Sequence, residues 1–295
     1  MKIFMTGGTG FNGSYLLNEL QDQNDEILVL TRNKKYKPKQ KNIVPLYGNL
    51  SNVCEFRDEI RKFSPDVAVH LAWEGIPYDY GPLISAKNLR NSLDLIVSLS
   101  EIGCMKIIST GTCWEYGVEE GKVDEFIEPR PSKPIAIAKN SFYKITNEIA
   151  KEKGINFIWT RLFYVYGPGR YKSTLIPSIA ECIFKGKKLD IKTPRNSFDF
   201  IYVEDVANAI SKIIRMANSS MVYNIGSGRS VSINDIVKMI YEEAGKDFNE
   251  EDFQFQDSKI VNFWADISKI KRDLDWEPKI NIQDGISKTI SELRK

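Results

Sequence analysis

Histidine is almost absent from this 295-residue sequence: His70 is the only one. The four cysteines, Cys54, Cys104, Cys113 and Cys182, are scattered and form no CxxC pair. Without paired thiols or accompanying imidazoles there is no ligand set for zinc, and no metal is expected. Neither sign of charge dominates, with 41 basic against 39 acidic side chains. Such a balance gives no field that would draw nucleic acid or an anionic membrane. No apolar run approaches the ~20 residues that a membrane-crossing helix needs, and the first residues enter a strand pattern at once rather than a leader. These absences point to small molecules and other protein surfaces as partners. They also lead us to expect a cytoplasmic location with reduced thiols.

What is present is material for a core, 42% hydrophobic residues, arranged in alternating patterns. KIFMT, EILVLT, DVAVHLAW and KIISTGT read as strands. Helical patterns separate them, from about Gly13 to Leu20, near Val53 to Phe63 and near Lys87 to Glu101. GINFIWTRL, FDFIYV and MVYNIGSG read as later strands, while YGPGRYKS and KGKKLDIKTPRN read as loops. Alternation of this kind implies βαβ units, hence an α/β fold with a doubly wound parallel sheet. We expect a dinucleotide-binding domain over 1–164, with returning segments near 197–228. A smaller substrate-binding α/β lobe over 165–295 follows, with ligand in the cleft between them.

Directly after KIFMT comes GGTGFNG, in which Gly8, Gly10 and Gly13 fit G-x-G-x-x-G. Glycines there permit a tight turn and let backbone N–H groups reach a pyrophosphate at a helix N-terminus. At the end of EILVLT, where an acidic residue would bind the ribose hydroxyls of NAD, stand Thr31, Arg32 and Asn33, followed by Lys34 and Lys35. A guanidinium can pair with a 2′-phosphate, so the expected cofactor is NADP(H), with NAD as the alternative.

GGTGFNG, VHLAW, KIISTGTCWEYG, TRLFYVYGPG, FDFIYVEDVANAI and YNIGSG occur in this order over nearly the whole chain. In this the sequence resembles the extended short-chain dehydrogenase/reductases that modify nucleotide sugars, a Rossmann-type family of 4-epimerases, 4,6-dehydratases and 4-ketoreductases. The resemblance implies that Gly7, Gly10, Phe11, Asn12 and Gly13 hold the pyrophosphate. It places Thr31, Arg32, Asn49 and Leu50 around the adenosine, Asn49 standing where an aspartate is usual. Leu71 and Ala72 fall along the cofactor and Trp73 on the substrate side. Asn88 matches the family's structural asparagine, and His70 is expected to pack within its strand. A homodimer through the two long helices of the first domain is implied as well.

The family's catalytic set is a Ser/Thr, a tyrosine, and a lysine four residues after it. By this resemblance Thr112 is the Ser/Thr and Lys139, in PIAIAK, is the lysine that grips the nicotinamide ribose. The tyrosine position is then Ile135. Residues 135 and 139 are one helical turn apart, about 5.4 Å of rise, and share a face. An isoleucine moves no proton, and general acid–base help is typically worth ~10²–10⁴-fold in rate. Tyr143 lies about 12 Å further along the helix, too far to substitute. Glu74, Tyr78 and Tyr80, in the loop WEGIPYDYG, are alternative proton sources, and Thr112 acting through a water or the ribose hydroxyl is another.

Cys113 and Trp114 occupy the positions of the dehydratase Asp-Glu pair, so dehydration is not expected. A 3,5-epimerising reductase would want a suitably placed cysteine and a histidine. Cys113 is one position off and no second histidine exists. Tyr164 and Phe198 stand where the family holds the sugar nucleotide with an asparagine and an arginine. Arg170, Arg195 and Arg229 are replacements for the lost charge, and the two aromatics could stack on a base. The expected activity is NADP(H)-dependent ketoreduction or dehydrogenation at C4 of a nucleotide sugar. The alternatives are a 4-epimerase with tightly bound NAD and a catalytically silent protein that binds NADP and a nucleotide sugar.

Overall fold

Lys2–Thr6 reads KIFMT and buries Ile3, Phe4 and Met5 completely, alternate residues included, as a strand covered on both faces must. This strand, β1, lies inside a sheet in a computed structural model that describes residues 1–21, 24–38, 40–118, 120–249 and 260–294. In chain order there follow α1 (Phe11–Glu19), β2 (Glu26–Thr31), β3 (Ile43–Tyr47), α2 (Arg57–Phe63), β4 (Val67–His70), α3 (Pro82–Ile102), β5 (Lys106–Thr112), β6 (Glu120–Val123), α4 (Pro134–Lys153) and β7 (Asn156–Leu162). The remainder comprises β8 (Tyr164–Tyr166), α5 (Leu175–Phe184), β9 (Ser197–Phe198), β10 (Phe200–Tyr202), α6 (Val203–Met216), β11 (Met221–Ile225), β12 (Val231–Ser232), α7 (Ile233–Ala244), β13 (Asn262–Ala265), α8 (Ser268–Leu274) and α9 (Ile282–Leu293).

Two compact units result. The first takes residues 1–117, 128–162 and 207–223. Its seven-stranded sheet has the order β11-β7-β5-β4-β1-β2-β3, with β1 parallel to both β2 and β4. The order reverses between β1 and β4, and in open α/β sheets ligands bind at the strand ends beside such a switch. The structure is thus the Rossmann-type sheet the sequence implied. β3 carries Pro45, which cannot donate to a ladder and is tolerated because β3 is the edge strand. The core joins Phe4 and Leu28 from the sheet to Leu95 and Leu99 of α3 and Phe142 of α4.

Helix boundaries follow local chemistry. The helix expected from Val53 begins as a 3-10 turn over Leu50–Glu55, kinks at Asn52 and becomes α2 only at Arg57. α3 starts at Pro82, earlier than the expected Lys87, because proline suits the first turn, where its missing N–H needs no partner. Gly103 and Gly154, at φ of 90° and 67°, close α3 and α4.

The second unit takes 118–127, 163–206 and 224–295. The segment 118–127, expected in the first domain, groups here because β6 pairs with β13 in a four-stranded sheet, β12-β9-β13-β6. β8 and β10 form a separate parallel pair. Ile179 and Ile183 of α5, Ile236 and Ile240 of α7 and Ile286 and Ile290 of α9 share one core. Asp199, fully buried, organises the turn after β11: it accepts from Ser227 N at 2.6 Å, Ser227 Oγ at 2.7 Å, Gly228 N at 3.0 Å and Ala265 N at 3.0 Å.

Candidate active site

The loop between β1 and α1 is shaped by backbone contacts that no side chain could share. Gly10 N donates to Gly7 O at 3.0 Å. Gly7 has φ +75°, and a Cβ there would lie 2.6 Å from Ala72 N. A Cβ on Gly13 would lie 2.1 Å from Gly7 O. Gly8 instead faces the core, where a Cβ would meet Val29 at 2.8 Å. The family register of Gly7, Gly10 and Gly13 is therefore the one that builds the cradle. The N-terminus of α1 has no side-chain cap and no acidic residue in its first turn, and Asn12 Oδ1 is buried without a hydrogen-bond partner. A helix N-terminus without a side-chain cap, its dipole and an orphaned amide fit the pyrophosphate of a nicotinamide dinucleotide. Phe11 packs edge-on against Tyr15 beside this loop.

At the end of β2, Thr31 is buried and its hydroxyl accepts from Asn33 N at 3.2 Å. Arg32 turns to Glu74, whose other oxygen takes Lys87 Nζ at 2.7 Å. Asn49 caps the 3-10 turn, accepting from Ser51 N at 3.1 Å, and Leu50 packs on the core.

β4 and β5 carry the centre of the site. His70 is buried, its Nδ1 2.7 Å from Thr6 Oγ1 and its Nε2 2.9 Å from Ser92 Oγ. Burial, then the charge of Lys139, pushes its pKa down to about 3, so it is neutral. Leu71 N donates to Thr6 O at 3.1 Å, fixing the chain as it leaves the strand. Asn88 grips Glu74 from both sides, accepting from its N–H at 2.8 Å and donating to its carbonyl at 3.0 Å.

Lys139 is 5% exposed, and its Nζ donates to Thr110 O at 2.8 Å and to Gly111 O at 3.5 Å. The ammonium also lies 5.0 Å from the centre of the Trp73 ring. Burial lowers its pKa to about 8, against an opposing pull from Glu115. Ile135, 4% exposed in the first turn of α4, sits on the same helical face. Thr112 ends β5 and caps the next 3-10 turn through Trp114 N at 3.4 Å.

Glu115 was not singled out from the sequence, and it is the most densely bonded group here. With no exposed surface, its carboxylate accepts from Thr112 N at 2.8 Å, Trp159 Nε1 at 3.0 Å and Arg161 Nε at 3.0 Å. A Cβ on Gly111 would fall 2.2 Å from Glu115 Oε1, so the glycine makes room for the carboxylate. The available signal was one charge in each of two apolar runs, TCWEYG and WTRLF, which sit on neighbouring segments of a sheet.

A description of the NAD dependent epimerase/dehydratase family matches residues 3–226. The chain belongs to that family. Its relatives include the uncharacterized UDP-glucose epimerase YtcB of Bacillus subtilis, 26% identical and covering 99% of this chain and 98% of the relative. The UDP-glucuronate 4-epimerase of Thermodesulfobacterium geofontis is 25% identical, with 97% and 94% covered. Among solved structures, the UDP-glucose 4-epimerase of Thermotoga maritima, determined with UDP-glucose, superposes with a TM-score of 0.86 at 25% identity over 100% of this chain and 99% of that one. The dTDP-glucose 4,6-dehydratase of Bacillus anthracis, determined with NAD, shares the fold at a TM-score of 0.88 and 24% identity, with 100% and 96% covered. Family members are NAD-dependent enzymes of nucleotide sugars, so a nicotinamide dinucleotide is the cofactor class.

Within this epimerase/dehydratase frame, Lys139 reaches the strand end that bears Thr112 and the Trp73 ring after β4, and Ile135 shares its helix. The alternative proton sources fare differently. The Glu74 carboxylate is held between two cations, Arg32 and Lys87. Tyr78 is 71% exposed. Tyr80 packs edge-on against Trp114, over whose ring the Lys133 ammonium lies 3.7 Å from the centre. Tyr143 stacks on Phe157 and Trp159, as expected of a packing residue.

In the second unit Tyr164 and Phe198 meet each other, ring centroids 4.5 Å apart, with Phe263 edge-on to both. Arg195 and Arg229 are exposed and Arg170 half-buried in the turn after Gly167. Among the described residues no cluster of acidic, cysteine or histidine side chains could hold a metal ion, and no helix is long and apolar enough to cross a membrane.

Proposed function

We propose that this protein is an NADP(H)-dependent oxidoreductase acting at C4 of a nucleotide-diphosphate sugar. The observation that carries the reading is the retained pair of Thr112 and buried Lys139 beside Trp73, in a chain where Cys113 and Trp114 replace the acid and base needed for elimination. A bound nicotinamide dinucleotide supplies or accepts the hydride. In this reading the Gly7–Gly13 loop holds the pyrophosphate, Asn49 and Leu50 flank the adenine, and Leu71 and Ala72 line the cofactor. Lys139 anchors the nicotinamide ribose and Thr112 hydrogen-bonds the C4 oxygen.

Preference for the 2′-phosphate is assigned to Arg32, aided by Lys34 and Lys35. Arg32 already holds one anionic partner, Glu74, so a phosphate would exchange with a carboxylate on the same guanidinium. Arg170, Arg195, Arg229, Tyr164 and Phe198 are assigned to the nucleotide and its diphosphate. The same reading includes a cytoplasmic site of action and a homodimer through α3 and α4. Leu83, Val97, Ile137 and Ile145, exposed on those helices, support the dimer.

The test is single-turnover absorbance of NADPH mixed with concentrated protein and a panel of nucleotide 4-keto sugars, beside Ile135→Tyr. Oxidation by the native protein supports the reading. Silence in the native protein with turnover in Ile135→Tyr would refute it in favour of a second reading, a binding protein without catalysis. Ile135 is the observation that favours that alternative. Tightly held NAD(H) on the purified protein would favour the 4-epimerase instead.

A further inference from the structure

We propose that Glu74 is the residue that sets the choice between NAD(H) and NADP(H), as a resident counter-charge on the guanidinium that would read a 2′-phosphate. The inference deepens the reading above and rests on its assignment of Arg32 to that phosphate. β1 lies between β2 and β4, and Thr6 at its end is level with Leu30 on one side and His70 on the other. Arg32 follows β2 by one residue and Glu74 follows β4 by four. With neighbouring strands about 4.8 Å apart, the two chains leave the sheet roughly 10 Å from each other. Their ion pair therefore spans the strand end from which the Gly7 loop starts, at the switch where sheets of this kind bind a dinucleotide.

Charge sets this pair apart from its surroundings. Residues 32–41, RNKKYKPKQK, hold six basic side chains and no acidic one. Among the described residues the only ion pair this segment makes is Arg32 with Glu74. Packing does not require it: the Arg32 side chain is 65% and that of Glu74 25% exposed, and a pair so open to water adds little to stability and exchanges readily. Glu74 itself is firmly placed. Asn88 accepts from its N–H at 2.8 Å, donates to its carbonyl at 3.0 Å and is tied to α3 through Ile84 O at 2.9 Å. The carboxylate has a second cation in Lys87, whose Nζ lies at 2.7 Å. It can therefore release Arg32 by side-chain rotation alone and stay paired.

A 2′-phosphate arriving at Arg32 must displace this carboxylate or share the guanidinium with it, like charge beside like charge. NAD(H) presents a neutral ribose diol there and meets neither cost. Glu74 thus lowers the affinity for NADP(H) alone, and Lys87 limits the loss by keeping the carboxylate when the phosphate binds.

The test reads binding rather than turnover. Fluorescence titrations with NADPH and NADH, and calorimetry with 2′,5′-ADP as the isolated phosphate-bearing half, are made at low ionic strength on the native protein, Glu74→Gln, Arg32→Gln and the double variant. Glu74→Gln should tighten NADPH and 2′,5′-ADP about two- to fivefold, the worth of an exposed ion pair, and change NADH by less than about 1.5-fold. The gain should shrink in high salt. It should vanish in the Arg32→Gln background, because it acts through the guanidinium. Weaker or unchanged NADPH binding in Glu74→Gln, an equal gain for NADH, or a gain that persists without Arg32 overturns the proposal. Lys87→Gln should weaken NADPH in the native background but not beside Glu74→Gln; equal weakening in both overturns the role given to Lys87. Arg32→Gln that binds NADPH as tightly as the native protein refutes the assignment of Arg32, and this inference with it. Selective weakening of NADPH by Arg32→Gln, with no effect of Glu74→Gln, refutes this inference alone.

Discussion

Replacing Glu115 with glutamine is the sharpest probe of how the site is held. One carboxylate oxygen accepts from Thr112 N, the other from both Trp159 Nε1 and Arg161 Nε. An amide offers a single oxygen. If it faces Trp159 and Arg161, its NH₂ group confronts the Thr112 N–H; if it faces Thr112, two donors are opposed. Whichever way it turns, Arg161, 2% exposed, loses its counter-charge. Removing one partner of a buried pair costs about 3–5 kcal/mol, a large part of the ~5–15 kcal/mol that typically separates folded from unfolded chains. Urea unfolding followed by near-ultraviolet circular dichroism should show this loss, and the Thr112 amide should lose protection from hydrogen exchange. The double variant Glu115→Gln, Arg161→Gln orphans no charge and should be less destabilised than Glu115→Gln alone. A single-variant loss below about 1 kcal/mol, the value of a surface pair, or simple additivity in the double variant, would refute the argument.

Other consequences can be checked independently. Because His70 is neutral when folded and titrates near 6.5 when unfolded, the unfolded chain binds more protons between about pH 3 and 6.5. Stability should therefore fall with decreasing pH across that window, by up to about 1.4 kcal/mol per unit from this residue, and His70→Gln should lower the slope. Gly13→Ala forces a methyl to 2.1 Å from Gly7 O, so NADPH titration should show at least a ~10²-fold loss of affinity; unchanged affinity would mean the cradle lies elsewhere. Asp199→Asn leaves at least one of four donors without an acceptor, at about 1–3 kcal/mol, and should increase hydrogen exchange at Ser227 and Gly228.

The strands and the glycine turn after β1 were legible because their signals are local. KIFMT followed by GGTGFNG fixes a strand, a turn and a helix start within a few residues, and only the packing of the turn on Val29 of β2 and on Ala72 after β4 needs the rest of the chain. The identity of Asn88 as a structural residue was carried by resemblance, and its two bonds to Glu74 supply the physical reason. What the sequence did not disclose depends on pairings between distant segments. Glu115 and Arg161 are 46 residues apart and meet only because β5 and β7 are neighbours. Arg32 and Glu74 are 42 apart and meet across strand ends. Glu115 and Arg161 alone read as ordinary charges, and Arg32 and Glu74, each singled out for another role, carry no sign of their pairing. Placing 118–127 likewise required knowing that β6 pairs with β13, which no turn signal announces.

The burial of Lys139 bears on the choice between catalysis and binding. Depressing a lysine from 10.5 to about 8 corresponds to about 3 kcal/mol against its charged form. A protein that merely held the ribose could do so with a solvated lysine, which keeps its charge without that penalty. The structure instead withdraws Lys139 from water, leaves it on neutral carbonyls and sets one buried carboxylate near it, itself locked by Arg161, Trp159 and the Thr112 amide. Burial therefore works against the charged lysine, and the nearby carboxylate works for it.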